Sequence, residues 1–125
     1  LEQEGIPVIP GPCLGDRSKP ELANMTLESP AVLTLRGVRT AICTDHPETP
    51  IQYLPLCAAM AVRGGMDPES ALACITIRAA ELAGVAHRVG SLAPADLTVT
   101  SSHPLNWLSR VQLVVMDGKV VVSSL

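Results

Sequence analysis

The stretch that most constrains this chain is VRTAICT, residues 38–44, which stops at Asp45. Its apolar members, Val38, Ala41, Ile42 and Cys43, do not alternate with polar residues, and a strand covered on both faces reads in that way. Burial on both faces calls for helices packed over a parallel sheet rather than a hairpin with one wet side. A second short apolar run, GIPVIPGP at residues 5–12, reads as another buried strand and ends in a Pro/Gly break.

The other segments fill in an α/β order. CLGDRSKPEL is a loop whose end, residues 18–22, opens a helix with Ser18 as N-cap and Pro20 and Glu21 in the first turn. ANMTLESPAVLTLRG is helix-like or irregular, with Gly37 at its C-terminal end. IQYLPLCAAMAVRGG, apolar nearly all round, reads as a buried helix in which Pro55 falls in the first turn or makes a kink. MDPESALACITIRAAELAG is the clearest helix of all. Asp67 caps it, Pro68 and Glu69 suit its first turn, Leu72, Ile75, Ala79 and Leu82 form its apolar stripe, and Gly84 closes it. After Val85 the pattern turns to β. ADLTVTS alternates, and Asp117-Gly118 between two Val-rich runs signals a type I′ hairpin. The expected division is residues 1–84 as an α/β portion and residues 85–125 as a β portion.

Two parallel strands with their helices do not close a sheet, and apolar strand edges left open invite further pairing. The chain is therefore expected to be part of something larger, or to find its missing strands in another chain. Nearly half of the 125 residues are apolar, with no Phe, one Trp and one Tyr, a composition suited to close helix-on-strand packing. The net charge of −3 is spread among interspersed acids and bases, which argues against a nucleic-acid partner. No apolar run is long enough to span a membrane, and LEQEGIPVIP lacks the basic and apolar regions of a secretory signal. Cys13, Cys43, Cys57 and Cys74 contain no C-x-x-C pair and read as reduced core residues of a cytoplasmic protein.

Asp45 is the chemical question. Read locally, it is either an Asx-turn or helix-capping residue, or a carboxylate displayed at the end of a buried strand. His46, Glu48 and Thr49 share its loop. Asp16, Arg17 and Lys19 sit in the loop after the first strand.

Five segments in order resemble the C-terminal portion of the amidohydrolase superfamily, most like its imidazolonepropionase-related members. They are GIPVIPGPCLGDRSKPEL, GVRTAICTDHPETPIQYLPLCAAMAVRGGM, ALACITIRAAELAGV, RVGSLAPADLTV and VQLVVMDGKVV. The resemblance implies a (β/α)8 barrel carrying a small β-sandwich built from both chain ends. In it residues 5–12 are barrel strand seven, residues 38–44 are strand eight, and the tail supplies the C-terminal sandwich strands. Asp45 then matches the strand-eight aspartate that binds or faces a catalytic metal and takes a proton from the attacking water. His46, Arg17 and Lys19 become candidate substrate contacts on the rim, since catalytic and rim residues sit at the C-terminal ends of barrel strands. His87 and His103, near or in the tail, are expected to have no catalytic role. The implied activity is hydrolysis of a C–N bond in a small molecule, a cyclic amide, an amidine or an N-acyl or peptidic substrate, with a divalent metal, zinc first.

The chain also departs from the family. The family binds metal mainly through a His-x-His pair on its first strand and histidines on its fifth and sixth. This chain has no His-x-His, and no histidine precedes His46. Asp45, with or without His46, falls short of the three or four ligands of a zinc site. The chain alone is thus expected to hold no metal tightly and to hydrolyse nothing. The missing barrel segment would come from the same or a separate chain, and a homo-oligomer is one such arrangement. The competing reading is a non-catalytic module, or a truncated fragment, that completes a barrel with a partner. In GSLAPADLTV, Pro94 runs directly into Ala95 where the family usually has Gly-Lys-Asp between them. Either the turn is shortened, or residues are absent from the sequence.

Overall fold

The computed structural model describes residues 3–92 and 96–124, so the Pro94–Ala95 junction lies outside the described residues. Its elements are helices α1 (Ser29–Leu35), α2 (Leu54–Arg63), α3 (Pro68–Cys74) and α4 (Ile77–Leu82), then strands β1 (Leu97–Thr100), β2 (Val111–Met116) and β3 (Lys119–Ser123). The architecture is α/β with a small antiparallel sheet.

The two apolar segments run parallel, but instead of the two strands expected they form one isolated bridge, Val8 opposite Thr40. The Val8 N–H donates to the Arg39 carbonyl at 2.9 Å, Ala41 N–H to Val8 at 3.2 Å and Cys43 N–H to Pro10 at 3.2 Å. The ladder is sparse because Pro10 lacks the N–H that would continue it. The reading of residues 38–44 as covered on both faces holds: Thr40, Ala41 and Ile42 are consecutive, so they face opposite sides, and all three are buried.

The two outer edges of this pair differ. On the far side of residues 38–44, the Ile42 N–H donates to the Cys74 carbonyl at 3.1 Å, and the Cys74 thiol donates to the Thr40 carbonyl at 3.1 Å. Helix α3 thus satisfies that edge. On the side of residues 5–12, no described residue bonds the Ile9 N–H, and Ile9 remains 56% exposed beside Ile6 at 50%. This is the unpaired apolar edge anticipated from the sequence.

Three helix expectations need correction. Residues 18–22 do not open a helix at Ser18; they make one 3-10 turn, Pro20–Leu22, with Lys19 at the N-cap position. The 51–65 helix begins as a 3-10 turn, Ile51–Tyr53, and continues as α2 with Pro55 in its first turn and no kink. Only Cys57, Ala58 and Ala61 of α2 are fully buried, so it shows a stripe rather than all-round burial. The 66–84 segment is two helices, not one. Its β-branched run Ile75-Thr76-Ile77 favours helix poorly, and Thr76 leaves helical geometry at φ −127°, ψ −103°. The break frees the Cys74 carbonyl, which would otherwise accept an intrahelical bond, to take the Ile42 N–H. It also resets the helical phase. The buried residues of α3 and α4 are Ala71, Cys74 and Ala80, while the expected stripe of Leu72, Ile75, Ala79 and Leu82 is half-buried.

The terminal signals fared better. The Asp67 carboxylate caps α3 by accepting the Ser70 N–H at 2.8 Å. Gly37 follows α1 in the left-handed region at φ +73°, and Gly84 follows α4 at φ +73°. Asp117 and Gly118 both have positive φ, +47° and +72°, as a type I′ turn requires. They join β2 to β3 within the sheet β1-β2-β3.

The core lies where α1, α2 and α3 meet residue Ile42. Small side chains, Ala31, Cys57, Ala58, Ala61, Ala71 and Cys74, let these helices approach closely. The tail reaches this body through Leu105, which packs on the core, and through Trp107, whose ring lies 6.2 Å from that of Tyr53. Among the described residues no helix is long and apolar enough to cross a membrane.

Candidate active site at the end of the 38–44 strand

Thr40, Ala41, Ile42 and Thr44 are buried and Cys43 is half-buried, and Asp45 is the first exposed residue after them. The chain reverses there. Asp45 takes φ +51°, a left-handed conformation that aspartate tolerates better than most residues. The Glu48 N–H donates to the Asp45 carbonyl at 2.9 Å, and the Thr49 N–H to the Thr44 carbonyl at 3.2 Å. The Gly11–Pro12 and His46–Pro47 peptides are cis. Thr49 is buried, leaving Asp45, His46 and Glu48 as the exposed polar groups of the turn.

Among the described residues the Asp45 carboxylate accepts no hydrogen bond and joins no ion pair. It caps no helix either, because the turn at Ile51–Tyr53 has Pro50 at its N-cap position. The side chain does not do the work of an Asx-turn or a cap; it stands free in solvent at the strand end.

Gly11 fixes how the neighbouring segment meets this site. A Cβ on Gly11 would run into the Cys43 carbonyl oxygen and would sit 2.8 Å from the Cys43 Sγ. The backbone of the first strand thus lies directly against the residue two positions before Asp45. Behind this contact lies a group of thiols that sequence spacing did not reveal. Cys13 packs against the core that contains Cys57. Burial, aided by the neighbouring Cys57 and Cys43 thiols, pushes Cys13 up to about 11. Burial also raises Cys57.

The other candidates lie as follows. His46 is adjacent to Asp45 in the turn and exposed. The Arg17 guanidinium donates to the Met25 carbonyl at 2.8 Å and lines a pocket of about 390 Å³ with Cys13, Glu28, Arg63 and Gly64. Lys19 is exposed at the start of the Pro20–Leu22 turn. The structure thus brings Asp45 and His46 together and sets Arg17 in a pocket that neither of them lines. In the tail, the His103 Nδ1 accepts the Leu105 N–H at 3.2 Å, a turn-forming role. A larger groove, about 800 Å³, separates α2 and α3 from the tail sheet and contains none of Asp45, His46, Arg17 or Lys19.

A catalytic zinc takes at least three protein ligands. Among the described residues no group of three or more His, Cys, Asp or Glu side chains is placed to hold a metal ion. The described residues do not by themselves fit such a centre.

With this geometry in hand, the comparisons are specific. Residues 17–121 match the model of the amidohydrolase family. The imidazolonepropionase of Geobacillus kaustophilus is 36% identical over 105 residues, covering 69% of this chain and 25% of that protein. The imidazolonepropionase of Geobacillus thermodenitrificans is 35% identical over 101 residues, covering 70% and 23%. The crystal structure of an amidohydrolase from Thermotoga maritima superposes with a TM-score of 0.93 at 38% identity, over 98% of this chain and 33% of that one. The chain thus spans about a quarter of the length of the curated relatives it matches.

Proposed function

Because the chain belongs to the amidohydrolase family, we propose that residues 1–125 are the C-terminal portion of a hydrolase that opens a C–N bond in a small molecule. In this reading the substrate is a cyclic amide, an amidine or an N-acyl compound, and Asp45 is the proton carrier. The observation that carries it is the free carboxylate of Asp45 at the end of a buried parallel strand. Catalytic groups of α/β barrels occupy that position.

Asp45 accepts the proton of the attacking water and returns it to the leaving nitrogen as the C–N bond breaks. Its exposure leaves room for water beside it, and the 45–49 turn holds its backbone through the bonds of Glu48 and Thr49. His46 is placed to contact substrate from the same turn, while Arg17 and Lys19 would reach it only from the loop after the first strand. A divalent cation, zinc in this reading, would lower the pKa of that water toward neutrality. Its remaining ligands would have to come from outside residues 1–125.

The same reading assigns the exposed edges. The unpaired Ile9 edge is where further strands of a (β/α)8 barrel would continue, with residues 5–12 and 38–44 as its last two strands; on the opposite edge Cys74 already bonds the Ile42 N–H and the Thr40 carbonyl, so a first strand would meet residues 38–44 beyond Ile42. Residues 85–125 would join further strands in a small sandwich. The exposure of Val120, Val121 and Val122 along β3, 61%, 54% and 47%, supports that: three consecutive residues face both sides of the strand, and neither side is covered.

Chelation tests the reading. The complete protein, stripped with a chelator, is expected to lose hydrolysis of a cyclic amide and to regain it with added zinc. Residues 1–125 expressed alone are expected to retain no stoichiometric metal after dialysis. Hydrolysis that persists unchanged through chelation would contradict the proposal.

A further inference from the structure

Arg78, in α4, is half-buried. A surface arginine usually lays its stem on apolar residues and holds its charged head in water. Here the head turns inward: the Arg78 Nη1–H donates to the Cys74 sulfur at 3.6 Å, and Cys74 is fully buried. A thiol sulfur is a weak acceptor, and it takes only one of the five N–H groups of the guanidinium. Among the described residues nothing else accepts from Arg78, and it joins no ion pair. Glu81, three positions on in α4, is exposed and takes no bond from it. The free nitrogens are not sealed in, because among the described residues only the Thr34 Oγ1 is a buried side-chain polar atom without a partner. They are open to a group arriving from outside.

The position of the guanidinium says where that group would come from. The Cys74 thiol donates onward to the Thr40 carbonyl, and the Cys74 carbonyl accepts the Ile42 N–H. The Arg78 head is therefore one sulfur atom away from the outer edge of residues 38–44. On the barrel reading above, a further strand joins that edge beyond Ile42. This chain spans about a quarter of the length of its curated relatives, so the covering segment lies outside residues 1–125. A cation covered by protein is costly unless it is paired. The planar fork of a guanidinium matches a carboxylate through two parallel hydrogen bonds.

We propose that Arg78 is the docking point for a carboxylate, Asp or Glu, on the segment of the complete protein that lies beside residues 38–44. The inference rests on the barrel reading. The pair fastens that segment to α4, while Cys74 fastens the preceding turn to the strand itself. One helical turn, Cys74 to Arg78, thus holds both sides of the seam that leads to Asp45.

Crystals of the complete protein read the pair directly. A carboxylate oxygen from outside residues 1–125 is expected within about 4 Å of the Arg78 guanidinium. Urea unfolding of the same protein tests its weight. Arg78→Met keeps the stem and loses the charge, and is expected to lower the midpoint more than Arg78→Lys, which keeps the charge and loses the fork. Changing the carboxylate to its amide together with Arg78→Met is expected to cost less than the sum of the two single changes. If Arg78→Met does not fold, Arg78→Gln replaces it in the cycle. An Arg78 head in bulk solvent, one covered only by main-chain carbonyls, a carboxylate from a second copy, or additive losses would overturn the proposal. A metal beside Asp45 with Arg78 unpaired would sink the pair and leave the proposed function standing; a complete protein in which nothing lies beside residues 38–44 would sink both.

Discussion

Asp45→Asn in the complete protein is expected to lower kcat by about 10²- to 10⁴-fold, the usual worth of a positioned general acid–base. The amide keeps the size of the carboxylate but cannot accept the proton. The substitution should leave the fold intact, because the Asp45 side chain is exposed and no described residue hydrogen-bonds to it. Asparagine also tolerates the left-handed backbone that Asp45 adopts at φ +51°. Loss of rate without loss of thermal stability therefore separates a chemical role from a structural one. A rate within about tenfold of the parent would remove Asp45 from the chemistry.

Gly11→Ala is expected to be the most damaging small substitution near the site. The added methyl would collide with the Cys43 carbonyl oxygen, a backbone atom that cannot swing aside, and with the Cys43 sulfur. Relief requires moving the first strand away from residues 39–43, where three backbone hydrogen bonds join them. Overpacking of this kind costs about 1–3 kcal/mol, and a backbone obstacle places it toward the upper end. A urea midpoint measurement reads the loss directly. Because the displaced segment abuts the strand that carries Asp45, kcat is expected to fall as well. A change within about 0.5 kcal/mol, the range of an inconsequential surface change, would show that this close approach does not hold the strands together.

What the sequence disclosed follows from which signals are local. The type I′ hairpin, the Asp67 cap and the glycines after α1 and α4 depend on a few adjacent residues, so they could be read directly. The two-sided burial of residues 38–44 was legible because its apolar residues do not alternate. The split between α3 and α4 was not, although Ile75-Thr76-Ile77 is a poor helical run. Its decisive partner, the Ile42 N–H, lies 32 residues earlier in the chain. For the proposed site, the exposed turn at Asp45 was readable and its neighbours were not. Asp45 at a strand end is a local feature, but whatever completes a metal centre around it would come from sequence beyond these residues.

That completion is the central claim, and anomalous diffraction from crystals of the complete, metal-loaded protein tests it most directly. The account expects an anomalous peak at the C-terminal end of the 38–44 strand, within coordinating or hydrogen-bonding reach of the Asp45 carboxylate, with its histidine ligands drawn from outside residues 1–125. A peak elsewhere, with Asp45 facing bulk solvent on an outer surface, would contradict it.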